Sequence, residues 1–159
     1  MRERAFAVLG DRVIGSRFLD LYAGTGAVGL EALSRGAHTA VFVERHRSAA
    51  HIIEHNLAAF ELSSDRAEVV MAPVSAAVRR LTQRERVFDI AWVDPPFDSW
   101  TEGFELVVRL FDEGLLHEGA VVCFECPKKA DVAGLVPNHL KIVRDLSGGA
   151  SRVVMITRR

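Results

Sequence analysis

The turn Gly24-x-Gly26-x-x-Gly29 constrains this chain more than any other feature. It stands between an apolar strand pattern, Arg17 to Tyr22, and a helical pattern, Ala27 to Arg35. Glycines at that spacing let the backbone reverse tightly, bring its amides close to a ligand and seat the helix against the strand. A strand that feeds a helix in this way belongs to a parallel sheet with crossover helices.

The alternation continues along the chain. Thr39 to Glu44 is a second strand, and Ser48 to Leu62 is a helix carrying Ala49, Ile52, Ile53, Leu57 and Phe60 at helical spacing. Glu68 to Met71 is a third strand and Val74 to Leu81 a short helix. Phe88 to Val93 is a fourth strand, stopped by Asp94-Pro95-Pro96 because two prolines cannot continue a ladder. Thr101 to Leu116 reads as a helix and Ala120 to Phe124 as the fifth strand. Leu140 to Leu146 and Arg152 to Thr157 flank Gly148-Gly149 as a hairpin. The expected fold is therefore α/β, a doubly wound, mostly parallel seven-stranded sheet with helices on both faces and a C-terminal antiparallel hairpin.

Length and composition bound the rest. The 159 residues, 49% hydrophobic and 26% charged, fit one domain with its own core. Apolar runs are too short to cross a bilayer, and the start has no signal-peptide pattern, so a cytoplasmic monomer is expected. A net charge of −1 excludes a uniformly basic nucleic-acid binder, although 17 of the 20 basic residues are Arg. Cys123 and Cys126 lie three apart on a strand, which points them to opposite faces. They are expected to be reduced core thiols, and no metal site is expected.

Two acidic positions narrow the ligand. Glu44 ends the second strand, where a carboxylate accepts the hydroxyl protons of an adenosine ribose. Asp20 precedes the glycine loop at the end of the first strand. A carboxylate there repels a pyrophosphate but suits the amino group of a cationic cofactor such as S-adenosyl-L-methionine. It could instead cap the turn by accepting backbone amides. Asp94-Pro95-Pro96-Phe97 falls at the same sheet edge. Asp94 and the Pro95 carbonyl can accept the two protons of an exocyclic base amine and turn its lone pair toward a methyl donor. Phe97 can stack on the base, and Pro96 stiffens the corner.

These stretches resemble the bacterial 16S ribosomal RNA guanine-N2 methyltransferases. The matching segments are Arg2-Glu3 with Phe6, Asp20 to Ala37, Val41 to Glu44, Phe88 to Phe97 and the strand holding Glu125. The resemblance implies an S-adenosyl-L-methionine-dependent enzyme with one domain over residues 1–159, acting on 16S ribosomal RNA within a small-subunit particle. It places Asp20, Tyr22, Gly24, Thr25, Gly26, Glu44, Arg45 and Ala72 around the cofactor, and Asp94 to Phe97 around the target amine. Arg2, Arg4, Lys128 and Lys129 are the expected RNA contacts. Three departures stand out. Family members usually carry a basic segment ahead of the Arg-Glu pair, where this sequence starts. Pro73 replaces an acceptor for the cofactor adenine, leaving backbone groups near Ala72 and Val74 for that task. Ala7 stands where an Asn is common. Competing readings are an adenine-N6 methyltransferase, a nicotinamide-binding Rossmann protein, which gives Asp20 and Asp94 no role, and a silent RNA-binding module.

Overall fold

The computed structural model describes residues 1–159. Its seven strands are β1 (Arg17–Leu21), β2 (Thr39–Glu44), β3 (Ala67–Met71), β4 (Phe88–Val93), β5 (Leu116–Pro127), β6 (Leu140–Gly148) and β7 (Ser151–Arg158). They form one sheet in the order β3-β2-β1-β4-β5-β7-β6. Pairing is parallel from β3 through β5, and β7 runs antiparallel between β5 and β6. This is the expected fold class.

Period-2 alternation explains why the sheet needs cover on both sides. Leu19, Leu21, Val41, Val43, Ala91 and Val93 face one way. They pack against α4 (Val74–Gln83) and α5 (Trp100–Asp112). Phe18, Phe42, Ile90 and Trp92 face the other way, toward α1 (Arg2–Leu9), α2 (Ala27–Ser34) and α3 (Arg47–Ala59). Cys123 joins the second core and Cys126 the first, so the two thiols lie on opposite faces, both buried and unpaired.

The N-terminal helix was absent from the sequence reading, although Ala5, Phe6 and Leu9 have helical spacing. Phe6 is its anchor. Its ring stacks 6.0 Å from both Phe18 and Trp92, and the Arg35 guanidinium sits 5.2 Å over it. A fully buried aromatic of this size contributes roughly 2–3 kcal/mol by burial alone. Arg4 adds a hydrogen bond of 2.7 Å to the Ser147 carbonyl, tying α1 to the β6–β7 turn.

Two boundaries differ from expectation. The helix read over 101–116 ends at Asp112, and Gly114 turns the chain with φ 77°. Leu115 and Leu116 had continued the helical apolar spacing, yet Leu116 already pairs with Phe88 in β5. The fifth strand is thus 12 residues long, and a register shift between its Leu116 and Val121 pairings absorbs the extra length.

Candidate active site

Strand order reverses between β1 and β4, because successive strands run outward from that point in both directions. The crevice beyond the carboxyl ends of such strands is where open α/β sheets bind ligands. An open cleft of about 800 Å³ lies there. Tyr22 and Glu44 stand at one side, Asp94 to Phe97 at its centre, and Glu102, Glu105 and Arg109 of α5 opposite.

The glycine loop is built as its spacing requires. Gly24 and Gly26 have φ 59° and 85°, a left-handed backbone that other residues adopt with strain. Open space surrounds the position a Cβ would take at Gly24, leaving that backbone approachable. Gly29 serves packing instead: a Cβ there would strike the Phe42 ring. Tyr22, with φ 60°, shares the left-handed conformation without being glycine. Strain of this kind persists where the surroundings hold it in place, here at the ligand edge.

Both acidic strand ends engage the backbone of the loop. Glu44 accepts the Gly24 amide at 2.7 Å and the His46 amide at 2.9 Å, one on each oxygen. Asp20 accepts the Gly29 amide at 3.0 Å, satisfying a donor in the first turn of α2. This is the turn-capping bond, a role compatible with cofactor binding. Asp20 lies 1% exposed beneath the loop, outside the cleft lining. Burial pushes its carboxyl up to about 7 against the pull of the Gly29 amide, with the charges of Asp94 and Glu44 adding to the rise.

Asp94 opens on to the cleft, yet the protein around it is dense enough to raise its carboxyl to about 7. Burial is the larger cause and the Glu125 charge the second. Pro95 is buried against α5, where Gly103 makes room: a Cβ at Gly103 would collide with the proline ring. That contact fixes the corner from behind. Phe97 is 47% exposed and lines the cleft, which leaves aromatic surface open there.

The remaining expected residues separate. Arg45 lines the cleft; Gly24, Thr25 and Gly26 form its glycine rim without lining it. Ala72 is buried, and its amide donates to the Glu44 carbonyl at 3.2 Å. The cleft wall there is Pro73, Val74 and Ser75 at the start of α4. The amides of that first turn are the backbone groups expected near Val74, and the Ser75 hydroxyl beside them is a polar group with no expectation attached. Its only signal was position, two residues after a strand-ending Ala-Pro. Arg2, Lys128 and Lys129 are exposed, whereas Arg4 spends one donor on Ser147. The Lys128 amide donates to Ala150 at 2.9 Å, so the lysines and the β6–β7 turn share the active edge.

Sheet order, glycine loop, acidic strand ends and the Asp-Pro-Pro-Phe corner together define a Rossmann-like methyltransferase. Comparison with known proteins agrees. The model of the family described as "Conserved hypothetical protein 95" matches residues 1–157, and the chain belongs to that family. Ribosomal RNA small subunit methyltransferase D of Escherichia coli is 36% identical over 125 residues, covering 79% of this chain and 60% of that protein. Its namesake in Haemophilus influenzae is 28% identical over 149 residues, covering 94% of this chain and 75% of that one. A solved Streptococcus pyogenes conserved hypothetical protein superposes with TM-score 0.86 at 30% identity. That superposition covers 100% of this chain and 96% of the other.

Proposed function

We propose that this protein transfers a methyl group from S-adenosyl-L-methionine to the exocyclic N2 of a guanine in 16S ribosomal RNA. The observation that carries the reading is Asp94. Its carboxylate lines the cleft with burial and the Glu125 charge acting on it, at the same sheet edge as a glycine loop held by Glu44. The two small-subunit relatives named above supply the RNA class.

The residues present fit the cofactor. The acidic strand ends Asp20 and Glu44 suit a sulfonium and an amino group better than a pyrophosphate. S-adenosyl-L-methionine supplies, when bound, a methyl group activated on a positively charged sulfur. Glu44 retains a free lone pair on each oxygen for ribose hydroxyls, because a carboxylate has about four acceptor sites and two are in use. The open backbone at Gly24 permits close approach.

Toward the base, the Asp94 carboxylate accepts one amine proton and the Pro95 carbonyl the other. Accepting both turns the nitrogen lone pair out of the ring's conjugation. A carboxyl near 7 is also well matched to taking up the proton that the amine sheds at neutral pH. Phe97 holds the base plane, and the Pro95–Gly103 contact keeps the acceptors from shifting. The proline-stiffened corner therefore needs little reordering in the transition state.

The test is mass-spectrometric mapping of methylated nucleosides in small subunits from a methylation-deficient strain after incubation with the protein. A new N2-methylguanosine in 16S RNA is the expected result. Calorimetry with S-adenosylhomocysteine against NAD separates this reading from a nicotinamide enzyme.

A further inference from the structure

One edge of the sheet carries a row, with Glu44 on β2, Asp20 on β1, Asp94 after β4 and Glu125 on β5 near the carboxyl ends of their strands, and Ser151 at the amino end of the antiparallel β7. Glu44 and the glycine loop lie on one side of Asp94. Glu125 lies on the other, next to the exposed Lys128 and Lys129. Val93 pairs with Phe124 in parallel register, so Asp94, the first residue past β4, and Glu125, still within β5, each follow a partner of that last pair, and the Glu125 charge acts on the Asp94 carboxyl. Cys123 faces the α1–α2 core, and Glu125, two further along β5, points the same way.

Glu125 is half-buried and already aimed. The Ser151 hydroxyl donates to its Oε1 at 3.1 Å, which leaves Oε2 to accept from elsewhere. Asp94 lines the cleft and Glu125 stands just beyond that lining; two neighbouring carboxylates suit a ligand edge made of adjacent N–H donors. Guanine presents that edge, with N1–H next to the N2 amine. Adenine and cytosine place a ring lone pair beside their amines, which a carboxylate repels.

We infer that Glu125 is the residue that selects guanine, its Oε2 accepting N1–H while Asp94 holds the N2 amine. The inference rests on the guanine-N2 reading above. The Glu125 charge also adds to the rise of the Asp94 carboxyl that burial chiefly causes.

The discriminating substrate is 2,6-diaminopurine, which keeps the N2 amine but carries a lone pair at N1. Wild-type mapping first identifies the methylated nucleotide. Small subunits are then reconstituted with 16S RNA ligated to carry guanine or 2,6-diaminopurine at that position. Wild-type protein should prefer guanine by at least about tenfold, because a desolvated polar mismatch is costly. Glu125→Gln keeps Oε1 for Ser151 and turns an amide donor outward. It should slow guanine methylation about tenfold or more, erase or invert the preference, and leave S-adenosylhomocysteine affinity unchanged. Ser151→Ala should weaken the preference in the same direction. A Glu125→Gln protein that methylates guanine N2 with the wild-type preference overturns the inference. So does loss of S-adenosylhomocysteine binding, which would put Glu125 on the cofactor side. If the wild-type protein methylates another atom, the underlying guanine reading fails first, and the mapping step identifies that failure by itself.

Discussion

Glu44 Oε2 accepts the Gly24 amide at 2.7 Å, so the carboxylate that ends β2 holds in place the loop that follows β1. The group expected to bind a ribose thus also shapes the backbone on which the cofactor would rest. A single change at this position removes a ligand contact and a loop anchor together.

Glu44→Ala should therefore weaken S-adenosylhomocysteine at least about tenfold, since hydrogen bonds to a charged acceptor are worth roughly 1.5–3 kcal/mol each. Loss of the Gly24 and His46 contacts should also cost about 1–3 kcal/mol of stability. Calorimetry and denaturant unfolding read the two effects separately. Undiminished affinity in a folded variant would move the cofactor elsewhere.

The pH profile of turnover should report Asp94. Only the ionised carboxylate takes up an amine proton, and its carboxyl lies at about 7. The rate should rise with pH through neutrality and level off above it, rather than levelling off near pH 4–5 as an ordinary Asp would. Glu125→Gln, which removes the neighbouring charge, should shift the rise to lower pH. Asp94→Ala should cut turnover about a hundredfold or more and leave cofactor affinity nearly intact.

Gly103→Ala is the cleanest probe of the Pro95 corner. The added methyl would press on the Pro95 ring, displacing the acceptors without touching the Glu44 side of the cleft. Single-turnover rates should fall while S-adenosylhomocysteine affinity holds. Overpacking of this kind also costs roughly 1–3 kcal/mol of stability, measurable by urea unfolding.

Asp20 should leave a signature in stability against pH. Its folded carboxyl, raised to about 7 from 3.8, holds its proton more tightly than the unfolded chain does. Its contribution is fully present below pH 4 and is lost as pH rises toward 7, beyond which it stays constant. Asp20→Asn should flatten that part of the profile. Identical slopes for both proteins between pH 4 and 7 would contradict the raised carboxyl.

Lys128 and Lys129 are exposed beside the active edge. If they contact phosphates, replacing each with Ala should lower the slope of log affinity against log salt by about one for small-subunit RNA. An unchanged salt slope in both variants would remove them from the RNA surface.

Period and spacing carried most of the architecture. The sheet was legible because buried parallel strands leave short apolar runs, and Gly24, Gly26 and Gly29 are required by a strand-to-helix turn. The helix boundary at Asp112 was not, because Leu115 and Leu116 satisfy helical spacing until Gly114 reverses the chain. The α1 helix stayed hidden because its short amphipathic pattern acquires meaning only once Phe6 meets Phe18 and Trp92, which are distant in sequence. In the site, Asp20 was found but its capping role was left open, since a carboxylate serves a ligand amine and a backbone amide equally well. Ser75, Glu102, Glu105 and Arg109 came from elements facing the cleft and carried no local motif.

The reversal of strand order beside β4 has a consequence for how such an enzyme can change. On the proposed reading, methyl donor and acceptor would approach the same carboxylate from opposite flanks, one along β1 and β2, the other along β5 and β7. Their recognition surfaces share little beyond the Asp94 corner. Substitutions on the β5–β7 flank can therefore retarget the chemistry to a different amine while the donor pocket persists, which makes this sheet an interchangeable chassis rather than a single-purpose mould.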